Sequence, residues 1–296
     1  MIVSIVLNDM DRTQYATFGF RSWLLQDISE PYEVIMNLFN DQVDVFEKLK
    51  LGANKNATVK VFVYDRPSYF NISAANNLGL KVATGKYVIF ANSDVIYPSK
   101  FLNSYLREIN KLNIAYALAS RVNLTNKATN SLHAAHNYSL EHGFDSLLNC
   151  QFKGHAISIG GGGVWCVLRN VAIAIGGFDA QIICHEDSEF NDRVMHYLRR
   201  TNQQACLLSF SDMYGYHMFH APSELYDASI YSRNILEPRR LRLLADPLST
   251  EDIMLHQTLE LEDSLHRLYN TIAPPKQLRR FTVLRRIKTA ALALFG

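Results

Sequence analysis

The sequence predicts an α/β fold, with a mostly parallel central sheet flanked by helices and a helical extension at its C-terminal end. Short runs rich in Val, Ile and Leu, typical of strands buried on both faces, alternate with stretches whose apolar residues recur at helical spacing. This alternation is typical of βαβ units, in which consecutive strands run parallel. With 296 residues, 48% of them hydrophobic, the chain can bury a core of the size that such a fold needs.

The first part of the chain contains four predicted strands, over residues 2–7, 33–38, 59–64 and 87–91. A helix is expected between the first two, because Phe20, Trp23, Leu24 and Ile28 recur at helical spacing. Asp11 and Gln14 resemble a capping box for that helix. A second helix is expected to open at Ser73 and to close at Gly85, which suits a C-cap position.

Polar residues follow three of these predicted strands. Asn8 follows the first strand, Asn40 and Asp41 follow the second, and Asn92 and Asp94 follow the fourth. Ligands of open α/β sheets bind in the crevice beyond the carboxyl ends of the strands, and carboxylate and amide oxygens suit hard cations. An ordinary turn explains any one of these residues when it is taken alone, so the prediction of a site depends on the rest of the chain.

The middle of the chain offers weaker signals. A helix after Pro98 and a strand near 115–120 lead into a polar segment, 123–155, that is expected to be a long loop or lid. Its four histidines have no familiar ligand spacing and are interpreted as solvated or structural: His133, His136, His142 and His155. The four glycines 160–163 suit either a flexible turn or a close approach of the backbone to a ligand.

The chain from 164 onward contains the other chemically informative residues. A strand over 164–168 and a short helix over 170–175 precede a helix that begins at Glu186 and Asp187, where the helix dipole favours ionised carboxylates. These charges also suit an ordinary helix start, with Glu189 and Arg193 pairing on the surface. After a strand over 205–210, His217 and His220 are either core residues or ligands.

The last part of the chain differs in character. Residues 1–235 are predicted to form one domain, and 236–296 a helical extension that Pro274 and Pro275 interrupt. The final segment, 276–296, places apolar residues at helical spacing among six basic ones, which suits either a membrane surface or the chain's own core. No apolar run approaches the ~20 residues that span a bilayer, and the N-terminus lacks the features of a signal peptide. A net charge of +2 gives no reason to expect a nucleic-acid partner.

Several motifs in this order resemble the GT-A glycosyltransferases, and specifically the inverting family 2. They are the strand IVSIV at 2–6, the runs SAANNLG at 73–79 and ATGKY at 83–87, NSD at 92–94, GGFD at 176–179, and Glu186-Asp187. The likeness extends over residues 1–222. It implies a Rossmann-like GT-A fold and an enzyme that takes a sugar from a nucleotide-sugar donor, here a UDP-sugar, and transfers it to a glycan or lipid-linked acceptor. The basic segment 276–296 would hold such an enzyme peripherally at the cytoplasmic face of a membrane, a location that fits polysaccharide or glycoconjugate synthesis.

The resemblance also implies roles for individual residues. Asp94 and His217 would bind Mn²⁺ or Mg²⁺, with His220 as the substitute for His217. Asp187 would be the general base and Glu186 would orient the acceptor or serve as second choice. Donor contacts would come from seven residues: Asn8, Asn40, Asp41, Asn76, Asn77, Asn92 and Asp94.

Two positions depart from the family pattern. Asn92 replaces an aspartate and so removes one negative charge from the metal site, and Asn76 replaces an arginine that would contact the diphosphate. These losses leave open a catalytically inactive module that binds a nucleotide-sugar or a glycan. A nucleotidyltransferase would need a basic, glycine-rich phosphate loop near the first strand, and residues 8–12 suit that role poorly.

Overall fold

A computed structural model describes residues 2–66, 70–119, 121–135, 157–158, 164–180, 182, 186–208 and 214–220. Eleven strands are present there: β1 Val3–Asp9, β2 Tyr32–Leu38, β3 Ala57–Val63, β4 Tyr87–Ala91, β5 Val95–Ile96, β6 Ile114–Ala119, β7 Arg121–Asn123, β8 Ile157–Ser158, β9 Val164–Leu168, β10 Gln204–Leu208 and β11 Gly215–His217. The helices of the same ranges are α1 Thr13–Leu24, α2 Val43–Lys50, α3 Ile72–Val82, α4 Phe101–Lys111, α5 Asn126–Ala134, α6 Arg169–Ala174 and α7 Glu186–Arg200.

The central sheet has seven strands in the order β10-β6-β9-β4-β1-β2-β3. β1 pairs in parallel with β2 and β4, and β2 pairs in parallel with β3. β9 lies antiparallel between β4 and β6, so the sheet is mixed although mostly parallel. A second sheet, β5-β11-β7-β8, lies beyond the carboxyl end of β4. The predicted α/β fold is therefore confirmed for the described residues.

Helices cover both faces of the central sheet, and a hydrophobic cluster lies on each face. On one face, Trp23 of α1 packs against Tyr97 and Phe101, with ring centroids 4.3 and 5.7 Å away. On the other face, Phe178 stacks on Phe190 of α7 at 4.1 Å. Burying aromatic side chains of this size contributes about 1.5–3 kcal/mol each, which holds the helices firmly on the sheet.

The local signals for the helix ends were partly wrong. No side chain of Asp11 or Gln14 caps α1; instead the carboxylate of Asp9 accepts a hydrogen bond from the backbone N–H of Arg12. α3 begins before Ser73, because the side chain of Asn71 caps it, and it ends at Val82, so that Ala83 rather than Gly85 is its C-cap. Gly85 serves another purpose: a Cβ there would lie 2.5 Å from the backbone nitrogen of Ser4. Gly85 is therefore required by its close approach to β1 and not by a helix cap.

Several predictions fall on parts of the chain outside the described residues. They concern the glycines 160–163, the histidines 136, 142 and 155, and the whole extension 236–296 with its basic segment. Within the described residues, no helix combines the length and the apolar composition needed to cross a bilayer.

Candidate metal and donor site

The second sheet brings a late strand of the chain to the end of β4. β11 pairs antiparallel with β5, so that His217 lies opposite Val95, the residue after Asp94. The backbone N–H of Met218 donates to the carbonyl of Asp94 at 3.0 Å. Two residues that are 123 positions apart in the sequence are therefore fixed side by side by strand register. The strand register therefore places Asp94 next to His217, the two residues that were predicted to bind a metal together.

The carboxylate of Asp94 is the centre of the site. Its Oδ2 lies 2.9 Å from Nε2 of His220 and 3.6 Å from Nε2 of His217. Its Oδ1 is buried and has no hydrogen-bond partner among the described residues. Although burial opposes ionisation, hydrogen bonds and charge from His217 and His220 hold the pKa of Asp94 well below its usual range. At neutral pH the site therefore presents a carboxylate with a free, desolvated oxygen.

This arrangement fits a divalent metal ion. One ligand atom from each of Asp94, His217 and His220 lies within 4.8 Å of the other two. An ion between them would take the unpartnered charge of the carboxylate and the lone pairs of two imidazoles. The sequence predicted His217 with His220 as its substitute, whereas the geometry places both beside Asp94.

Sequence reasoning missed a cation in this cluster. Nη1 of Arg12, at the start of α1, lies 3.4 Å from Oδ2 of Asp94 and 3.0 Å from Nε2 of His220. The rings of Tyr15 and His133 pack edge to face beside His220, with Tyr15 5.7 Å from it and 5.2 Å from His133. His133 is therefore a structural neighbour of the site, as the interpretation of its spacing expected. A basic residue shortly after the first strand was the available signal for Arg12.

The predicted donor residues near β1 form a buried amide chain. The side chain of Asn8 exchanges hydrogen bonds with Asn76 at 2.7 Å and with Asn37 at 2.9 Å, and the Asn37 amide also donates to the carbonyl of Ala75. These side chains tie β1, β2 and α3 together below the crevice. The structure gives Asn8 and Asn76 this packing role, and their contact with a nucleotide stays a prediction.

The predicted residues after β2 and β4 lie at the same edge of the sheet. The amide of Asn40 donates to the carboxylate of Asp9 and to the carbonyl of Met10, both at 2.9 Å. Asp41 is exposed and accepts from the side chain of Gln42. Asn92 is half-buried, and its carbonyl accepts the N–H of Val95. Their nucleoside contacts also stay predictions.

α3 holds the segment that leads to the predicted general base. Asn77 clamps Phe178: its amide donates to the Phe178 carbonyl and its oxygen accepts the Phe178 N–H, both at 2.8 Å. Asn71 donates to the carbonyl of Ala180, and Ser73 donates to that of Ile182. Because α3 starts at the carboxyl edge of the sheet, these bonds fix the approach to α7 at that edge. Asn77 thus holds Phe178 of the GGFD motif, residues 176–179, in place. This contact was not predicted, and the donor contact of Asn77 stays a prediction.

The two glycines of that motif are required by geometry. Gly176 and Gly177 have φ angles of +80° and +71°, which side chains disfavour, and a Cβ on Gly177 would lie 2.4 Å from Oδ1 of Asn77. The guanidinium of Arg193 donates to the carbonyl of Gly177 while it pairs with Glu189. The predicted Glu189–Arg193 pair is therefore present, but it is buried and holds this turn, so the surface interpretation was wrong.

Glu186 and Asp187 occupy the first turn of α7, as the sequence predicted. Burial and, secondarily, the adjacent charge of Asp187 raise the pKa of Glu186 to about 8. Asp187 accepts the N–H of Ser188 at 2.6 Å within that first turn. Glu186 therefore offers a protonated carboxyl at neutral pH, next to the carboxyl of Asp187, and adjacent carboxyls in different environments are a common arrangement for acid–base chemistry.

Comparison with known proteins found a family match over part of the chain. Residues 47–173 match the family Glycosyl transferase family 2. No curated protein matches the sequence significantly.

Several solved structures have a similar fold. TarS 1-349 of S. aureus in complex with UDP is 16% identical, with a TM-score of 0.59 over 86% of this chain and 70% of that one. The complex of the same protein with UDP-GlcNAc is also 16% identical, with a TM-score of 0.56 over 89% of this chain and 74% of that one.

A mannosyltransferase from Pyrobaculum calidifontis, PcManGT in complex with GDP-Man and Mn²⁺, is 14% identical, with a TM-score of 0.54 over 89% of this chain and 70% of that one. Against the longer S. aureus TarS structure, the chain spans 42% of the length. At these identities the structural likeness shows the GT-A fold.

Proposed function

We propose that this chain, which carries a glycosyl transferase family 2 domain with the GT-A fold, moves a sugar from a UDP-sugar to a hydroxyl of a glycan or lipid-linked acceptor, with inversion at the anomeric carbon. The observation that carries the proposal is the cluster of Asp94, His217 and His220 at the carboxyl end of β4. This is the edge of an open α/β sheet where ligands bind. UDP and UDP-GlcNAc are present in the complexes of one structural neighbour.

The metal site suits Mn²⁺ better than Mg²⁺. Mg²⁺ prefers oxygen ligands almost exclusively, whereas two of the three ligand atoms here are imidazole nitrogens. The ion would neutralise charge that develops on the departing diphosphate. The unpartnered Oδ1 of Asp94 supports this assignment, because a buried carboxylate oxygen without a partner costs free energy that a bound cation would recover.

The carboxyls at the start of α7 would serve the acceptor. Asp187 takes the proton of the attacking hydroxyl, the new C–O bond forms at the anomeric carbon, and the nucleoside diphosphate leaves with the electron pair of the old bond. Glu186, which its raised pKa of about 8 keeps protonated at pH 7, donates a hydrogen bond that orients the acceptor. The bonds from Asn71, Ser73 and Asn77 hold Ala180, Ile182 and Phe178, which precede both carboxyls in the chain.

The proposal is tested by incubating the protein and its Asp94→Ala variant with UDP-, GDP- and dTDP-sugars in the presence of Mn²⁺. We expect release of one nucleoside diphosphate, by transfer or by slow hydrolysis, which EDTA and the substitution both abolish. Activity that survives in Asp94→Ala would contradict the role of the cluster. Binding of a donor without any sugar release would favour the inactive module instead.

We further propose that the enzyme works at the cytoplasmic face of a membrane, in the synthesis of a polysaccharide or glycoconjugate. The support is the amphipathic, basic pattern of 276–296, which adds about 1 kcal/mol of attraction to anionic lipids for each basic residue near the surface. Flotation with vesicles of phosphatidylglycerol and phosphatidylcholine tests this. The chain should float with anionic vesicles at low salt, and a version that ends at residue 275 should stay behind. Equal flotation of both would contradict the proposal.

A further inference from the structure

Arg12 competes for the atoms that would bind the metal. Its Nη1 lies 3.0 Å from Nε2 of His220 and 3.4 Å from Oδ2 of Asp94, and both residues belong to the candidate ligand set. The Arg12 side chain is 34% exposed, so it can reach the crevice from its position at the start of α1. A guanidinium with hydrogen bonds to two ligand atoms must leave them before an ion can bind there.

Nε2 of His220 cannot satisfy Arg12 and Asp94 at the same time. Nε2 of His220 lies between a donor, Arg12, and an acceptor, Asp94 Oδ2, which is 2.9 Å away. If Nε2 carries a proton it can donate only to Asp94, and if it is bare it can accept only from Arg12. A divalent ion resolves the conflict, because it accepts the lone pairs of both His220 and Asp94. The same ion repels the guanidinium, which carries a like charge.

The displaced guanidinium is also the cation that the donor site needs. Asn76 stands where the family pattern has an arginine, and its side chain is buried and bonded to Asn8. A nucleoside diphosphate carries more negative charge than one divalent ion neutralises. Arg12 is held against the metal ligands, so the diphosphate oxygens of a metal-bound donor would lie within its reach.

We propose that Arg12 pairs with Asp94 and His220 while no metal is bound, releases them to the incoming ion, and then binds the diphosphate of the donor. The second half of this inference rests on the proposed function. Arg12 therefore opposes binding of the metal alone and favours binding of the metal and the diphosphate together. Metal and nucleotide therefore bind with positive cooperativity, and Arg12 is its physical source.

The test is calorimetry of the native chain, Arg12→Met and Arg12→Lys, titrated with Mn²⁺ alone and with UDP or GDP at saturating Mn²⁺. Removing the competing cation should tighten Mn²⁺ binding in Arg12→Met by about fivefold or more. Losing one charged contact should weaken nucleotide binding by about tenfold to a hundredfold. Arg12→Lys should fall between the native chain and Arg12→Met in both titrations. Opposite changes in two affinities are not produced by a merely misfolded site.

Arg66→Met is the matched control, because Arg66 lies near the same edge but pairs with Asp11 at 2.6 Å. It should leave both affinities within about twofold of the native values, and reproduction of the Arg12→Met pattern by this variant would overturn the inference. Unchanged Mn²⁺ affinity in Arg12→Met would overturn the first half, and unchanged nucleotide affinity the second. A native chain that binds Mn²⁺ but no nucleoside diphosphate would overturn the proposed function and, with it, the second half.

Discussion

Glu33 and Asp94 are both buried carboxylates of the central sheet, yet their surroundings differ. Glu33 lies near the amino end of β2, where it accepts the hydroxyl of Ser4 and both the N–H and the hydroxyl of Thr84. Its other oxygen lies 2.7 Å from Nζ of Lys60. Although burial opposes ionisation, these partners, Lys60 foremost, hold the pKa of Glu33 below its ordinary value. One oxygen of this carboxylate accepts hydrogen bonds and the other pairs with the charge of Lys60, whereas Oδ1 of Asp94 has neither kind of partner among the described residues.

Asp94, at the carboxyl end of β4, is surrounded differently. The charged partners of its Oδ2 are two histidines and Arg12, each of which can also bind a different group, and its Oδ1 has no hydrogen-bond partner within the described ranges. The contrast teaches how to separate a structural charge from a functional one. A buried carboxylate whose partners are complete stabilises the fold, whereas one with an open oxygen and exchangeable partners is prepared for a ligand.

Asp187 extends the comparison to a carboxylate for which we propose a role in proton transfer rather than in metal binding. Asp187→Asn should lower turnover by about 10²–10⁴-fold, because the general base is lost. Binding of Mn²⁺ and of the nucleotide should stay within about twofold. Steady-state kinetics and calorimetry on the same preparation measure both. Full turnover in this variant would remove Asp187 from the mechanism and leave Glu186 as the remaining candidate.

Glu33→Ala should be the substitution that costs most stability. It leaves Ser4 and Thr84 without their acceptor in the interior and removes the ion-pair partner of Lys60, whose side chain is 30% exposed, which together cost about 2–4 kcal/mol. Urea denaturation gives the free energy of unfolding. The double variant Glu33→Met with Lys60→Met is the control, and it should recover part of the loss because both charges are removed together. If Glu33→Ala lowers the free energy of unfolding by less than about 1 kcal/mol, Glu33 does not have the structural role that distinguishes it from Asp94.

The environment of Glu186 is tested by measuring stability at different pH values. Its folded pKa of about 8 lies above the ordinary value of 4.5, so between these pH values the folded chain keeps a proton that the unfolded chain has lost. Stability from this group is therefore present at low pH and is lost as the pH rises toward about 8. Glu186→Gln has no carboxyl at this position and does not lose this stability. Between pH 5 and 8, its free energy of unfolding should therefore rise by at least about 1 kcal/mol relative to that of the native chain. Parallel curves for the two proteins would show that Glu186 ionises normally.

The smallest expected effect concerns the choice of metal. Because His217 and His220 supply nitrogen ligands, Mn²⁺ should bind about tenfold or more tightly than Mg²⁺. Replacing His220 by Asp gives the site a second carboxylate and should narrow the difference. Competitive titration with both ions tests this. Equal affinities in the native chain would mean that the imidazoles do not contact the ion.

The sequence predicted those features that short-range patterns encode. Alternating apolar runs gave the order of strands and helices, and the polar residues after β4 identified Asp94. The contacts that complete the site join residues far apart in the chain: Asp94 and His220 are separated by 126 positions, and Arg12 and His220 by 208. Spacing holds no information about such pairs. The same reason explains why Glu33, inside an apolar strand, gave no signal of its network, and why the bond between Asn77 and Phe178 was not predicted.

The central claim is that Asp94 holds a divalent ion through which a nucleotide-sugar binds. Calorimetric titration of UDP, GDP and dTDP into the native chain and Asp94→Ala, each with Mn²⁺ and with EDTA, tests it most directly. We predict that one nucleotide binds the native chain only with Mn²⁺, and that it does not bind Asp94→Ala, whose free energy of unfolding remains within about 1 kcal/mol of the native value. Nucleotide binding that is equal in EDTA, or that survives in Asp94→Ala, would contradict the account.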